Sequence, residues 1–561
     1  MRLRKQFLLL PPNGASSGAA GTPASGTTTT IAGLKALSVA SGLNGRAVLV
    51  SGYYAAGDGG GGQFVYDSSS AAADNAGTII APTVGSGRWL RVYSGAVSVR
   101  WFGAKGDATA NDTTPIQSAV TLATVNNSSV FIPACVPGSY YKITAPIAFT
   151  APVSVLGEDM LCSLIIGVGF SAGQYMFDFN LSAGANYFWR LENFALRSLD
   201  GVPRGIHLKN TSYVNMKNVY LQKCKYGIVF EGTTAFSNRF ENVVCYQTVS
   251  SGFYFLGFQG GGQLTFDHCT FDGDLGFQGD SASAISGASF VDCNFEGCVS
   301  NSLVWYGDAL GFKFAGGRTE GCTGSVDFIF DPASGKEVSG LSICGMVFSA
   351  NSAACTAIQL GGSGGQVRGF NISGNDADNS SVAQFITLNG DGESGVVTGN
   401  KFRQSATVPV SSQRPGVVVF ANENASGKCA EYWGSAAWGV VEYNWTPTDQ
   451  SGAALSFASA AGYATKVGRV VFWQAVVTYP TTASGAVAKI GGLPSNPTVG
   501  GSTQGRAGAR VDMSNSTLPI ACYQGTPDTN KIQLVNAQSL VDITNVQLTG
   551  KTLYLSGQYT V

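Results

Sequence analysis

Apolar residues return at a regular spacing through the middle of the chain, in seven-residue segments that resemble one another. Each segment begins with an apolar residue, has a turn-forming residue third, and mostly has small or apolar residues fourth and sixth. Successive segments begin 24 to 29 residues apart, which indicates repeated units that stack on one another. The segments are LENFALR (191–197), MKNVYLQ (216–222), FENVVCY (240–246), FDHCTFD (266–272), FVDCNFE (290–296), FAGGRTE (314–320), ICGMVFS (343–349), ISGNDAD (372–378) and VTGNKFR (397–403).

A second apolar strand follows most of these segments. Strands that alternate with bends, without crossover helices, exclude a doubly wound sheet and predict a parallel β-helix, whose coils pair above and below. The third residue of each segment is Asn, His, Asp or Gly, which predicts a bend with left-handed backbone. The second strands are GIHL (205–208), GIVFEG (227–232), GFYFLG (252–257), LVWYG (303–307), VDFIF (326–330), AIQLGG (357–362), FITL (385–388) and GVVVF (416–420).

The chain before the repeats divides into three parts. Residues 1–30 are small and polar and predict a flexible tail; its opening MRLRKQFLLLPP has too short an apolar run for a signal peptide. Residues 31–97 carry short alternating patterns such as RAVLVSGYY, which predict a small β domain. Residues 98–130 predict the entry strand and one capping helix, and we assign the β-helix to 131–425.

The one predicted helix lies in NDTTPIQSAVTLATVNN. Asp112 or Thr113 can cap its first turn, which contains Pro115. Apolar residues then recur at helical spacing and predict a single buried face. Those residues are Ile116, Ala119, Val120 and Ala123.

Alternation along each strand predicts which side chains face solvent. If the fourth and sixth positions of the seven-residue segments face inward, the fifth and seventh face outward. We therefore expect an exposed column of carboxylates at Asp272, Glu296 and Glu320, each followed by glycine. The seventh positions are Arg197, Gln222, Tyr246, Asp272, Glu296, Glu320, Ser349, Asp378 and Arg403, and the fifth positions include Tyr220, Thr270, Asn294 and Arg318.

Carboxylates at this spacing fit glycoside hydrolysis. Neighbouring coils lie ~4.8 Å apart and alternate coils about 9–10 Å, which brackets the carboxyl separations of retaining and inverting enzymes. We expect repulsion between the three like charges to raise the pKa of at least one of these carboxyls. We expect Glu296, which has a carboxylate on each side, to be the general acid, and Asp272 or Glu320 to be the base or nucleophile. Solvated coil corners also accept Asp and Glu, so the column can equally be structural.

Residues beside this column are candidates for substrate binding. Arg318 and Asn294 project next to the carboxylates, where the guanidinium can bind a sugar hydroxyl or carboxylate or neutralise the column. Tyr246 and Tyr220 lie one and two coils earlier and can form an aromatic platform for a sugar ring. Other acidic residues that we place at corners or in loops compete for a role: Asp274, Asp280, Asp308, Asp327, Asp331, Asp376 and Asp391.

Composition narrows the possible functions. Charged residues make up 12% of the chain, about half the usual ~25%, and 75 of 561 residues are glycine. A net charge of −1 without a basic stripe argues against a nucleic-acid or anionic membrane partner, and no apolar run is long enough to span a membrane. The 12 cysteines include no C-x-x-C pair, and we expect buried reduced thiols.

The two histidines carry no recognisable site. His268 fills the bend position, so we expect a turn residue, and His207 is expected to face outward from a strand without a marked partner. There is no metal-ligand spacing, phosphate loop or nucleophile elbow. We therefore expect no metal and no cofactor.

The segment WFGAKGDATANDTTPIQSAV resembles the start of the β-helix in bacteriophage tailspikes of the pectate-lyase-like superfamily. The upstream GYYAAGDGGGGQFVYD (52–67) and GRWLRV (87–92) look like the small β domain that often precedes it. The stretch 463–494 resembles a C-terminal β-sandwich of tail fibres, which we assign to 426–561. The residues that carry the opening match are Gly103, Ala104, Lys105, Gly106, Asp107, Asp112, Thr113, Ile116 and Gln117.

The resemblance implies an all-β, right-handed parallel β-helix that forms a homotrimeric spike. It implies a virion tail protein assembled in the host cytoplasm, attached to the tail or to another spike through its N-terminal region, and acting on a bacterial surface polysaccharide. It does not identify catalytic residues, and Lys105 and Asp107 are expected to be structural. Hydrolysis is favoured by the carboxylates; a lyase using Tyr246 and Arg318, a binding-only spike and a structural spacer remain open.

Overall fold

The computed structural model divides the chain into two compact units, Met1–Asn180 with Trp189–Pro203, and Leu181–Phe188 with Arg204–Val561. Each unit is described below by itself. The structure describes residues 26–39, 43–184, 186–349, 355–377, 382–390, 392–403, 408–411, 416–429, 432–433, 440–467, 470–492, 509–513, 520–524, 531–539 and 541–560. Residues 1–25 of the predicted tail, Asp378 and Asp391 thus lie outside the described residues.

The first unit opens with a small β domain. Its sheet begins at Gly26, earlier than the predicted boundary at 31, because Gly26–Thr28 pairs in parallel with Ala47–Val50. The core beside the sheet includes Phe64, Trp89 and Leu34 of the short helix Ile31–Ala36. The strands, in sheet order, are Gly26–Thr28, Ala47–Val50, Gly62–Asp67, Arg88–Arg91 and Ile79–Ile80.

The predicted helix is confirmed as Thr113–Asn126, and it buries the four residues expected on its apolar face. Asp112 occupies the N-cap position, but its side chain does not cap the helix. Its carboxylate instead accepts hydrogen bonds from the backbone N–H groups of Lys105 (2.7 Å) and Gly106 (3.0 Å). Asp107 accepts from the backbone of the turn that follows it. Both acidic residues of this segment thus fix loop backbone, which is the structural role expected for Asp107 and differs from the helix cap considered for Asp112.

Parallel coils follow in the first unit. Val155 pairs with Val130 and with Leu191, and Ile165 pairs with Tyr141 and Leu196, so the short strands stack coil upon coil. The elements are the strand Val97–Ser98, the 3-10 helix Val99–Phe102, and the strands Val130–Ile132, Tyr141–Ile143, Ile147–Phe149, Val155–Gly157, Leu164–Gly167, Tyr175–Asn180 and Asn186–Ser198.

The second unit contains a parallel β-solenoid whose strands form three stacks. The first stack contains Ser212–Gln222, Asn238–Leu256, Gly261–Asp267, Ala284–Val291, Asp308–Ala315, Glu337–Ser339, Ser342–Cys344, Gln366–Ser373, Ser394–Thr398 and Gly416–Phe420. The second stack follows the bend. It contains the end of Ser212–Gln222, the middle of Asn238–Leu256, the first part of Thr270–Gly279, and Asn294–Glu296, Arg318–Glu320, Val347–Ser349, Asp376–Ala377, Lys401–Phe402 and Glu423–Asn424. The third stack contains Arg204–Lys209, Tyr226–Glu231, the later parts of Asn238–Leu256 and Thr270–Gly279, Asn301–Trp305, Val326–Phe330, Cys355–Leu360, Val382–Leu388 and Val408–Val410.

The bends of the nine seven-residue segments have the left-handed backbone expected from their composition. The third residue of all nine repeats has a φ between 47° and 72°. Asn and Asp tolerate this region better than other side chains, and Gly has no side chain to clash. These residues are Asn193, Asn218, Asn242, His268, Asp292, Gly316, Gly345, Gly374 and Gly399.

His268 gives a direct test of this bend. We expect His268→Gly to leave the thermal midpoint nearly unchanged and His268→Val to cost about 1–2 kcal/mol, because a β-branched residue is strained at a φ of 52°. Ser289→Val, on the ordinary strand Ala284–Val291, is the matched control for adding valine to this solenoid. Equal midpoints for the two valine variants would contradict the strain at the bend.

The interior of the solenoid is built from stacked aromatic rings and thiols. Phe266, Phe290 and Phe314 occupy one column, with ring centroids 4.7 Å and 4.4 Å apart. Cys269 and Cys293 are buried beside them at 1% exposure each. The cysteines that the structure describes carry no disulfide, and most are buried, as expected for thiols that replace Val, Leu or Phe.

The C-terminal part of the second unit contains a nine-stranded antiparallel sheet. Its core includes Trp445, Trp473 and Tyr479. The β-sandwich predicted for 426–561 stays a prediction. The strands, in sheet order, are Val440–Trp445, Ser459–Val467, Val470–Thr478, Thr552–Thr560, Ala509–Met513, Ile520–Gln524, Lys531–Asn536, Lys489–Gly491 and Thr448–Asp449, and a 3-10 helix spans Asn545–Leu548. Short pairings at Gly427–Lys428 and Tyr432–Trp433 precede it.

Candidate functional site

The second stack places the three predicted carboxylates on successive coils. Phe271 pairs with Phe295, so Asp272 and Glu296 are the next residues of two neighbouring strands. Glu296 pairs directly with Glu320 on the following coil. Because paired strands lie ~4.8 Å apart, sequence separations of 24 residues become contacts between neighbours.

Asp272 differs from the expectation, because it is 8% exposed, whereas Glu296 is exposed and the Glu320 side chain is 46% exposed. The cause is a bulge in Asn238–Leu256, where the register with the next strand shifts between Cys245 and Thr248. Residues of the bulge contact Asp272: the backbone N–H of Gln247 hydrogen-bonds its carboxylate, and the Thr248 hydroxyl donates to its carbonyl oxygen at 2.6 Å. On the other side, a Cβ placed on Gly297 would lie 3.5 Å from its carboxylate.

The raised pKa that we expected for a carboxyl of this column is found at Asp272, and burial is its main cause. Loss of solvent raises the pKa of Asp272 above its ordinary value, and the charge of Glu296 raises this pKa further. The backbone N–H of Gln247, which hydrogen-bonds the carboxylate, opposes both effects. Asp272 therefore keeps its proton to higher pH than an ordinary aspartate does.

Glu320 is held by a basic partner. The Arg318 guanidinium forms an ion pair with the Glu320 carboxylate, and both side chains are about half exposed. They lie two residues apart on the same strand and therefore project from the same side. Asn294 pairs with Arg318 on the adjacent coil and is half-buried. The predicted neighbours thus converge, and Glu296 lies between a buried acid and an ion pair.

Two tyrosines lie at the preceding coils. Cys245 pairs with Phe271, so Tyr246 follows the paired residue on one coil and Asp272 follows it on the next. Tyr246 is 37% exposed, and its ring centroid lies 6.3 Å from that of Tyr220 at an angle of 33°. The two rings lie near each other on neighbouring coils beside the carboxylate column, and their role as a sugar platform stays a prediction.

Some of the other expected placements are wrong. His207 does not face solvent: it is 4% exposed, and its Nε2 lies 3.2 Å from Glu231, which also binds Lys209 at 2.6 Å. Its partner lies 24 residues further along, so the repeat period itself could have revealed the pair. Asp327 is not in a corner or loop; it lies in the strand Val326–Phe330 and is 1% exposed. His268 is the exposed turn residue expected, and it contacts Asp267 at 2.6 Å.

Neither a metal centre nor a membrane segment is found in the described part of the chain. No three His, Cys, Asp or Glu side chains among those residues are placed to hold a metal ion. None of the described helices is long and apolar enough to cross a membrane.

Comparisons with known proteins match two parts of the chain. Residues 27–94 match the phage tail protein small four-stranded beta-sheet domain, and residues 96–302 match the family described as Rhamnogalacturonase A/epimerase, pectate lyase-like. A comparison with curated proteins found no similar sequence.

Several solved structures are similar to the structure of this chain. The gp42 tailspike of Acinetobacter phage vb_AbaP_AS12 is 13% identical with a TM-score of 0.49, over 83% of this chain and 91% of that one. The tailspike protein of Acinetobacter baumannii phage AM24 is 14% identical with a TM-score of 0.45, over 95% and 94%. Tailspike protein gp49 of Acinetobacter baumannii bacteriophage Fri1, a capsular polysaccharide depolymerase, is 13% identical with a TM-score of 0.44, over 96% and 98%.

Proposed function

We propose that this chain is a phage tailspike of the pectate-lyase-like type that binds and degrades a bacterial surface polysaccharide by carboxylate-assisted hydrolysis of a glycosidic bond. The observation that carries the proposal is the pairing of Asp272, whose pKa is raised, with the exposed Glu296 on the neighbouring coil. A carboxyl group with a raised pKa beside a second carboxyl group that is open to solvent is the arrangement that glycoside hydrolysis requires.

In this mechanism Asp272 donates its proton to the oxygen of the leaving sugar. Glu296 attacks the anomeric carbon and forms a glycosyl ester, which water then hydrolyses while Asp272 acts as base. Carboxyls on neighbouring coils, ~4.8 Å apart, fit the ~5–5.5 Å separation of retaining enzymes better than the wider separation of inverting ones. We therefore assign retention of the anomeric configuration, and the acid role moves from Glu296 to Asp272.

The remaining residues of the site bind the polysaccharide. Arg318, already paired with Glu320, can share its donors with a sugar hydroxyl or carboxylate. Asn294 can hydrogen-bond a hydroxyl from the adjacent coil. Tyr246 and Tyr220 offer ring faces to the less polar faces of sugar rings. No cofactor has a part in this chemistry.

Tyr246→Ala is expected to raise KM roughly 3- to 10-fold and to change kcat little, because a stacking platform contributes about 0.5–1.5 kcal/mol to binding. Initial rates on the cleaved polysaccharide measure both constants. Tyr554→Ala, which removes another half-exposed tyrosine from the C-terminal sheet, is the matched control. An unchanged KM for Tyr246→Ala would show that the Tyr246 ring does not bind the substrate.

The proposed activity is tested by incubating the full chain with a panel of purified capsular and lipopolysaccharides and measuring new reducing ends. Proton NMR at early times should show product with the anomeric configuration of the substrate. An unsaturated, ultraviolet-absorbing product would instead indicate a lyase. Binding without new ends would indicate a spike that only adsorbs, and binding to no surface glycan would indicate a structural spacer.

The proposal includes assembly. We place the protein on the virion tail, attached through the domain at 27–94 and acting at the cell surface after assembly in the host cytoplasm. A homotrimer would give three copies of the site. Sedimentation equilibrium of the full chain measures the mass of the assembly.

A further inference from the structure

A buried acid lies inside the coil that carries Arg318 and Glu320. Asp327 lies in the third-stack strand Val326–Phe330 and is 1% exposed. The pairings Leu303 with Phe328 and Phe328 with Ile358 place Ser302 and Ala357 next to it, one coil on each side. A carboxyl in this position needs hydrogen-bond partners or its proton, because an isolated buried charge is very costly.

The partners of Asp327 connect it to the second stack. The Thr319 hydroxyl donates to Asp327 Oδ2 at 3.0 Å, and the Ser302 side chain hydrogen-bonds the same carboxyl. Thr319 is itself fully buried, and its hydroxyl oxygen accepts from the backbone N–H of Ser349 at 3.3 Å. Two hydroxyls offset little of the cost of burying a charge, and burial raises the pKa of Asp327 to about 8.

Thr319 is the middle residue of the three-residue strand Arg318–Glu320. Its side chain points into the solenoid while Arg318 and Glu320 project outward beside Glu296. A strand this short is held by few backbone hydrogen bonds, so an inward side-chain anchor has a large share in fixing it.

We propose that Asp327 is a positioning residue for the saccharide site: its carboxyl accepts the Thr319 hydroxyl from inside the coil and so holds Arg318 and Glu320 in place beside Glu296. Ionisation of Asp327 in alkaline solution makes this coil open more easily, because the charge is costly to keep away from water and the two hydroxyls offset only part of that cost. The catalytic consequence rests on the proposed function, whereas the anchoring of the strand does not.

Other titratable groups face the same interior. Cys322 receives a hydrogen bond from Ser302 at 3.1 Å, and its pKa is lowered to about 7, first by its contact with Cys298. The pKa of Cys298 is raised, first by Cys322, with Asp272 and Asp327 contributing. Cys355 is buried at the start of the next third-stack strand. Because Cys322 also titrates in this range, Cys322→Ser is needed to separate its effect from that of Asp327.

The sign of the linkage follows from the raised pKa. Below the ordinary pKa of 3.8 both folded and unfolded chains carry the proton. Between 3.8 and about 8 only the folded chain carries it, so this group makes the fold less stable as pH rises, and above about 8 the effect is constant. Asp327→Asn, which is neutral at every pH and keeps the shape, removes this dependence.

The first experiment measures hydrogen exchange of the amides of 318–320 by mass spectrometry between pH 6 and pH 9, corrected for intrinsic rates. In the wild-type chain and in Cys322→Ser the protection should fall at least tenfold across this range, and in Asp327→Asn it should not. Asp331→Asn, which changes an aspartate bonded to Ser363, is the matched control and should behave as the wild type. Protection that falls equally in Asp327→Asn, or stops falling in Cys322→Ser, overturns the proposal.

The second experiment uses a polysaccharide that the wild type cleaves. KM should rise severalfold above pH 8 in the wild type but not in Asp327→Asn, with kcat less affected, while Asp327→Ala should raise KM at every pH. Identical pH profiles for the wild type and Asp327→Asn would overturn the positioning role. Absence of cleavage by the wild type would count against the proposed function alone, because the exchange experiment decides the anchoring without any substrate.

Discussion

Asp272→Asn and Glu296→Gln are each expected to lower kcat by ~10³-fold on the cleaved polysaccharide while KM changes less than about threefold. Asparagine cannot donate a proton to the leaving oxygen, and glutamine cannot attack the anomeric carbon as a carboxylate does. Both substitutions keep the shape of the side chain. Circular dichroism and the thermal midpoint establish that the variants fold before rates are compared.

Two further variants make the assignment of roles specific. Glu296→Ala with added azide should regain turnover and release a glycosyl azide of inverted anomeric configuration, since azide attacks in place of the missing carboxylate. Asp272→Ala, which keeps Glu296, should not release this inverted product. Glu320→Gln should lose less than about tenfold, because Glu320 is already paired with Arg318. Full turnover in both Asp272→Asn and Glu296→Gln would show that these carboxyls take no part in the reaction. If Glu320→Gln lowered kcat as much as either of those variants, Glu320 would be a member of the catalytic pair.

The register of the solenoid could be predicted from the sequence because it depends on local chemistry repeated many times. An Asn, Asp, His or Gly at the bend aligns each repeat, and strand alternation then places the fourth and sixth residues inside. Phe290 pairs with Phe314 and Phe314 with Ile343, as the alignment of segments requires. The bend residue and the strand alternation recur in every coil, so a wrong assignment in one repeat does not change the alignment of the others.

The burial of Asp272 depends on one irregular coil. The sequence offset between paired residues is 26 at Cys245 and Phe271, 25 at Thr248 and Gly273, and 24 from Ser251 onward. The 26-residue spacing between two segments was visible in the sequence, but the place where the extra residues bulge was not. A bulge covers one side chain and leaves its neighbours unchanged, so a rule applied to a whole column cannot find it.

Asp327 and His207 were misplaced for a related reason. Both occupy strand positions that usually hold other residue types, and composition alone favours loops for Asp and the surface for His. Their burial is made possible by partners on the same or the neighbouring coil, Thr319 for Asp327 and Glu231 for His207. Predicting such pairs requires the three-dimensional register first and the side-chain geometry second.

Phe290→Ala is expected to lower the free energy of unfolding by about 3–5 kcal/mol, the usual cost of removing a buried phenylalanine from a well-packed core. Phe290 is 1% exposed and stacks on Phe266 and Phe314, so the substitution opens a cavity that touches two neighbouring coils. Denaturant unfolding followed by tryptophan fluorescence measures the change. Phe290→Leu should cost less because it leaves a smaller cavity, and Phe188→Ala, at an 88% exposed ring, should stay within about 0.5 kcal/mol of the wild type.

A change below about 1 kcal/mol for Phe290→Ala would mean that the interior relaxes around the cavity and that the aromatic column does not fix the coil spacing. That result would also apply to the geometry of the site, because Asp272, Glu296 and Glu320 lie on the second-stack strands of the same coils. In a solenoid each coil is stabilised mainly by the coils beside it. The distance between an acid on one coil and a nucleophile on the next is therefore no more rigid than the packing beneath them.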